Sequence, residues 1–292
     1  MSVRTAATSS AAAILLGACA LLPAASQTQA AALRGGPVVF GHRGASAYAP
    51  ENTLEAVDAA EGLGIDWVEN DVQLTRDGVP IVMHDANLKR TTDAEQVFPG
   101  RAPWAVKDFT AAEIARLDAG SWFGGQYAGA RVPTLARYLE RVERNDQNLL
   151  LEVKNPRTYP GIEKKTLRVL RDEGWLDRTH VDYRLVIQSL DADSVRTVHR
   201  QRPDVTTGFL GTPAVADLPS YAAFTDRINP QYSTISADYV AEVHRLKGVH
   251  GKRLQVDTWT VNDAAAAKRV EGYGVDGIIS NRPDVVRGAV RR

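Results

Sequence analysis

Short apolar runs alternate with helical stretches along most of the chain. Residues 38–42 form the first such run and end in Gly41-His42-Arg43-Gly44. Pro50-Glu51-Asn52-Thr53 then opens a helix that runs to about Leu63, where Gly64 closes it. Residues 67–74 alternate strictly. Trp67, Glu69, Asp71 and Gln73 share one face, and Val68, Asn70, Val72 and Leu74 share the other. Asp77-Gly78 is a hairpin signal, so residues 79–83 fold back antiparallel to that strand and return His84 and Asp85 to its vicinity. Further strands are expected at residues 149–154, 185–189, 206–210, roughly 233–236, 254–260 and 277–280. Helices are expected over residues 135–144, 192–200, 239–247 and 264–271.

The pattern contains nine strands. Parallel neighbours need a long crossover, so the arm after the tight turn is excluded from a parallel sheet. Eight strands remain, and their alternation with helices predicts an α/β fold, a closed (β/α)8 TIM-type barrel over residues 37–292. Residues 86–131 are rich in glycine and proline and poor in strand pattern; they include Asp118-Ala119-Gly120-Ser121-Trp122-Phe123. They read as a small insertion after the second barrel strand, lying over the barrel mouth.

This architecture changes the meaning of the polar residues. Helices cover a barrel strand, so Glu69 and Asp71 become two like charges enclosed together. That costs several kcal/mol unless a positive charge compensates. Residues 149–154 repeat the logic: Leu149, Leu151 and Val153 face the helices, while Glu152 and Lys154 point inward. Three carboxylates aimed into one cavity suit a single divalent cation, Ca²⁺ or Mg²⁺. Arg43 and Lys154 stay cationic and suit an anion, most simply a phosphate. His42 and His84 can exchange protons near neutral pH. A cation site, two basic side chains and two histidines are the parts needed to cleave a phosphodiester. Gln188 and Trp259 end later strands and are candidates for contacts with substrate. Glu51 lies in a first helical turn and is expected to orient the Arg43 loop rather than bind metal. Asn70 should point away from the site. Trp122, Phe123 and Tyr127 serve either as a wall for the leaving group or as the core of the insertion. His180, His199, His244 and His250 lack evident partners and are expected to be structural or at the surface.

Charge and cysteine content narrow the field. The 35 basic and 35 acidic residues of this 292-residue chain cancel, so no global field favours nucleic acid or an anionic membrane. The one cysteine, Cys19, lies in a segment that reads as an export signal over residues 1–32: Arg4, an apolar run over residues 11–22, then small residues. The run is too short to span a membrane, and no later stretch comes close. Secretion is the expectation. The alternative is a lipid anchor on Cys19, because Leu16-Gly17-Ala18-Cys19 is similar to a lipobox.

Taken together, the motifs resemble the glycerophosphodiester phosphodiesterases. They are HRG (42–44), PENT (50–53), Glu69 and Asp71 followed by TRDG (75–78) and HD (84–85), LDAGSWF (117–123), Glu152-Val153-Lys154, the strand with Trp259, and GIISNRPD (277–284). The resemblance covers essentially everything after residue 36. It implies hydrolysis of small-molecule glycerophosphodiesters to sn-glycerol 3-phosphate and an alcohol. It also implies metal ligands Glu69, Asp71 and Glu152, acid/base residues His42 and His84, and phosphate contacts from Arg43 and Lys154. Two other functions fit less of the pattern. One is a sphingomyelinase D-like phospholipase of the same superfamily acting on intact lipids; the other is a phosphate-binding barrel without catalysis.

Overall fold

Strands buried on both faces must carry apolar side chains inward as well as outward, and that requirement shapes this molecule. The computed structural model describes residues 1–2 and 35–291, so the expected export segment and Cys19 lie outside the described residues. Nine strands follow in order: β1 (Val38–Gly41), β2 (Trp67–Leu74), β3 (Pro80–Val82), β4 (Asn148–Val153), β5 (Leu185–Ser189), β6 (Thr206–Leu210), β7 (Arg227–Asn229), β8 (Gln255–Thr258) and β9 (Gly277–Ser280). All but β3 run parallel, and pairings of β1 with both β2 and β9 close them into an eight-stranded barrel. Strand β2 is long enough to serve two partners on one edge. Its first residues, Trp67 and Val68, pair with β1, and its last, Val72–Leu74, pair antiparallel with β3.

Parity along the strands divides the core. Phe40, Leu150, Val186 and Ile279 fill the barrel interior, with Trp67 and Trp259 packed against them. Val68, Val72, Leu149, Leu151, Leu185 and Ile187 face outward and bury the surrounding helices. The helix after β1, α1 (Leu54–Gly62), starts on Thr53, whose side chain accepts a hydrogen bond from the Ala56 N–H, so Pro50–Thr53 is the turn before the helix rather than its first turn. The helix after the insertion, α2 (Leu135–Arg144), has the bounds expected from its pattern.

The expected strand at residues 233–236 is not one. Tyr232–Thr234 form a single helical turn, and Ser236 caps the next helix, α3 (Ala237–His244), by accepting from the Tyr239 N–H. The sixth barrel strand is instead Arg227–Asn229. Its outer residues are polar because both are satisfied inside the barrel: Arg227 Nη1 donates to Asp257 at 2.7 Å and Asn229 Nδ2 to Gln188 at 2.7 Å. A three-residue strand with one apolar member does not read as buried, while Tyr-Ser-Thr-Ile mimics a strand by propensity alone.

Between β3 and α2 the chain is more ordered than its composition suggests. It contains short helices at Ala94–Val97 and Ala111–Ile114, the latter with a reciprocal capping box between Thr110 and Glu113. Leu88, Val106, Phe109, Ile114 and Leu117 form a core of their own with Ile81 and Met83. Tyr127 ties this segment to the loop after β1 through its hydroxyl, which donates to the Tyr48 carbonyl at 2.6 Å. No helix among the described residues is long and apolar enough to cross a membrane.

Asn70 does point to the helix side, as parity requires, but it is fully buried there and neither side-chain atom has a hydrogen-bond partner. An unsatisfied buried amide costs about 1–3 kcal/mol, whereas valine suits this position between Val68 and Val72. Asn70→Val should therefore raise the melting temperature by a few degrees (about 2–4 °C per kcal/mol for a domain of this size). Thermal unfolding at constant metal concentration checks this, and a lower melting temperature would refute it.

Candidate active site

The site is assembled where β1, β2 and β4 end. After β1 the chain must turn abruptly to present side chains inward. Arg43 and Gly44 both adopt positive φ, 56° and 79°. A Cβ at position 44 would lie 2.6 Å from the Ala56 carbonyl, so only glycine fits against α1. The turn delivers the Arg43 N–H to Glu69 Oε2 at 2.9 Å. It also places the Arg43 guanidinium against Glu51, with Nη1 donating at 2.8 Å, and sets Nε 3.3 Å from Asp71 Oδ2. Asn52, also at positive φ, donates from Nδ2 to Asp71 Oδ2 at 2.8 Å. PENT is thus a clasp on the Arg43 loop and on Asp71.

Glu69, Asp71 and Glu152 are all buried, and each offers an oxygen within 4.8 Å of the others. Asp71 pairs with Glu152 in the ladder between β2 and β4, so these two lie side by side at one level. The Lys154 ammonium sits 2.9 Å from Glu152 and 3.6 Å from Asp71. Burial alone would raise the Asp71 carboxyl, but Lys154 and Arg43 hold it well below the usual carboxylate range. The other two are driven the opposite way. Burial and the neighbouring Asp71 push Glu152 up to about 8, and burial with Asp71 and Glu152 raises Glu69 well above its ordinary value. Holding all three as carboxylates at once therefore requires positive charge beyond the two cations. Asp71 Oδ1 is buried without a hydrogen-bond partner. Three converging carboxylates with an unsatisfied oxygen fit a hard divalent cation, and these are the residues that would hold it.

The histidines flank this cluster. His42 gives its Nδ1 side to Asn281 Oδ1, 2.5 Å away, and places Nε2 4.0 Å from Glu69 Oε2. Burial first, and then Arg43, lower its pKa to about 4, so the ring is neutral at pH 7. His84 follows β3 and has its Nδ1 2.8 Å from Asp85 Oδ1. Its loop is pinned by Gln73, whose Nε2 donates to the carbonyls of Met83, His84 and Asp85 at 2.7, 3.1 and 2.7 Å. His84 is near enough to help depress the Asp71 carboxyl.

The remaining candidates occupy other places. Gln188 lies beside Glu152 in the ladder, but its carbonyl is taken by Asn229. Trp259 gives its indole N–H to the Asn229 carbonyl at 2.8 Å and packs on the barrel interior. Glu51 binds Arg43 and Arg90 and stands outside the carboxylate cluster. Trp122, Phe123 and Tyr127 stack edge to face in the insertion. Three of the other histidines do have carboxylate partners, contrary to expectation: His180 with Glu143 and Asp177, His244 with Asp276, and His250 with Asp226. A cavity of about 570 Å³ opens beside Glu152 and Lys154 and is lined further by Arg157, Leu190, Asp191 and Arg196. The groups that hold the site together, Asn52, Gln73, Asp85, Arg90 and Asn281, were not singled out by residue type. Asn52, Asp85 and Asn281 lie inside quoted motifs, and Gln73 shares the parity of Glu69 and Asp71. Nothing marks Arg90.

Residues 42–285, an interval that opens on His42 and includes every group above, match the Glycerophosphoryl diester phosphodiesterase family. The chain belongs to this family. It is 34% identical over 261 residues to a glycerophosphodiester phosphodiesterase of Bacillus subtilis, covering 84% of this chain and 83% of the relative. It is also 34% identical over 258 residues to one from Caldanaerobacter subterraneus, covering 87% and 98%. Among solved structures, a phosphodiesterase of Oleispira antarctica in complex with the product sn-glycerol-3-phosphate superposes with a TM-score of 0.75 at 28% identity, over 87% of this chain and 96% of that one.

Proposed function

We propose that this chain, an enzyme of the glycerophosphodiester phosphodiesterase class, releases sn-glycerol 3-phosphate and an alcohol using one divalent cation, Ca²⁺ or Mg²⁺, and the histidine pair. The observation that carries the reading is the convergence of three buried carboxylates with His42, Arg43 and Lys154 at one end of the barrel. The product bound in the Oleispira antarctica relative supports the choice of leaving and retained groups.

A bound cation would withdraw charge from a non-bridging phosphate oxygen. Arg43 and Lys154 hold the phosphate as an anion and neutralise the charge that grows as the nucleophile adds. His42 keeps its proton on Nδ1 through Asn281 and offers a free Nε2 lone pair, which suits removal of a proton from the nucleophile. His84 has a carboxylate behind its ring, so it can carry positive charge and protonate the departing alcohol. In-line displacement puts these two tasks on opposite sides of phosphorus, and the two histidines come from separate loops. Arg157, Asp191 and Arg196 of the adjoining cavity supply both signs of charge to the organic part of the substrate.

Metal binding has a readout apart from turnover. Ca²⁺ or Mg²⁺ should raise the melting temperature of the chelated protein, and Glu152→Gln should abolish most of that rise. Equal melting temperatures with and without metal would exclude the cation site.

His42→Ala and His84→Ala should each lower turnover of glycerophosphocholine by about 10²–10⁴-fold. A diester with p-nitrophenol as leaving group should rescue His84→Ala and leave His42→Ala slow. Rescue of His42→Ala instead would reverse the roles, and near-normal rates in both variants would refute the mechanism.

We further propose that the enzyme is exported, on the strength of Arg4, the apolar run over residues 11–22 and the small residues after it. Mass spectrometry of the mature amino terminus should find cleavage near residues 30–32. A lipid-modified Cys19 would replace secretion with anchoring, and an intact Met1 would defeat both.

A further inference from the structure

One side chain outside the carboxylate cluster joins the loops that carry both histidines. Arg90 lies in the insertion, where buried Leu88 and Thr91 fix its backbone. Its Nη1 and Nη2 donate to Glu51 Oε2 and Oε1 at 2.8 and 2.7 Å. Its Nε and Nη2 donate to Asp85 Oδ2 and Oδ1 at 2.7 and 3.0 Å. One guanidinium thus makes two bidentate carboxylate pairs, and each carboxylate has a second partner: Glu51 accepts from Arg43, and Asp85 faces His84 Nδ1 at 2.8 Å. An unbroken chain of charged contacts runs Arg43, Glu51, Arg90, Asp85, His84.

We propose that Arg90 is a positioning residue for the reaction: it fixes the plane of the Asp85 carboxylate, and through it the ring orientation and Nδ1 proton of His84. The proposal rests on the role assigned to His84 above. Global stability does not account for the arrangement, because Arg90 is 44% exposed and Asp85 25% exposed, and ion pairs this open contribute little to folding. What two bidentate pairs do supply is direction. A planar fork bound on two edges holds both carboxylates in its own plane, which a lysine ammonium, as a point charge, does not. Asp85 has little freedom left, because its carbonyl is also held by Gln73. Trp122, 6.0 Å from the guanidinium, covers it on one side. The insertion therefore reaches the chemistry through Arg90.

The test uses Arg90→Met and Arg90→Lys, each alone and with Asp85→Asn, in the full-length protein with Ca²⁺. Ring ¹⁵N signals of His84, assigned by their loss in His84→Gln, should report a single Nδ1–H form in the wild type. They should report a mixture of tautomers in Arg90→Met, with the melting temperature nearly unchanged. On glycerophosphocholine, Arg90→Met should lower kcat by about 10–100-fold, as removal of a partner that orients a metal-bound histidine does, with KM within about twofold. Arg90→Lys should recover part of the loss, and Arg90→Met should add nothing in the Asp85→Asn background. Unchanged His84 signals in a folded Arg90→Met protein, or losses that simply multiply with those of Asp85→Asn, would overturn the proposal. A wild type that did not turn over this substrate would count against the proposed function, while the ring signals would still decide the role of Arg90.

Discussion

Three carboxylates share one enclosed space at the top of the barrel, and the surrounding structure is arranged to tolerate that repulsion. Barrel closure makes it unavoidable, because successive inward positions on β2 and β4 have nowhere else to point. Compensation comes from every side. The Arg43 N–H and the Asn52 amide donate to Glu69 and Asp71, and Arg43 and Lys154 bring charge within 3.6 Å. The positive φ angles at Arg43, Gly44 and Asn52 follow from the same need, since the loop must bend sharply to aim its donors at β2. Two basic side chains against three acids do not hold all three charged, and the two glutamates are pushed toward the neutral form.

The two histidines stand in different surroundings. His42 is enclosed, and burial first, then the Arg43 guanidinium, disfavour an imidazolium there. An uncharged acceptor, Asn281, stands behind it. His84 is half open to water and has a carboxylate behind it. Two identical side chains thus meet different partners, one enclosed against an amide and the other partly open against a carboxylate.

Most of the barrel was legible because its strands are apolar on the helix side, which leaves a readable period. Leu149, Leu151 and Val153 identify β4 and, by exclusion, send Glu152 and Lys154 inward. That period is lost where an inward polar pair replaces apolar packing. Arg227 and Asn229 are satisfied by Asp257 and Gln188, residues distant in sequence, so no local pattern announces β7. The supporting residues were hidden for a related reason. Gln73 acts through three backbone carbonyls and Arg90 through two carboxylates, and neither partnership exists until the chain has folded. Residue type pointed to groups that ionise or ligate, not to those that hold them still.

The insertion's apolar core draws on β3 but on no residue that fills the barrel interior. Hairpin arm and insertion are thus a module that evolution or an engineer could exchange while the barrel stays intact. The seam of that exchange includes the stretch from His84 to Arg90 and the Tyr127 contact with Tyr48. Any replacement must reproduce the geometry of those seven residues and of that contact. A barrel built this way lets one loop be rewritten while the carboxylate cluster and the His42 loop keep their places.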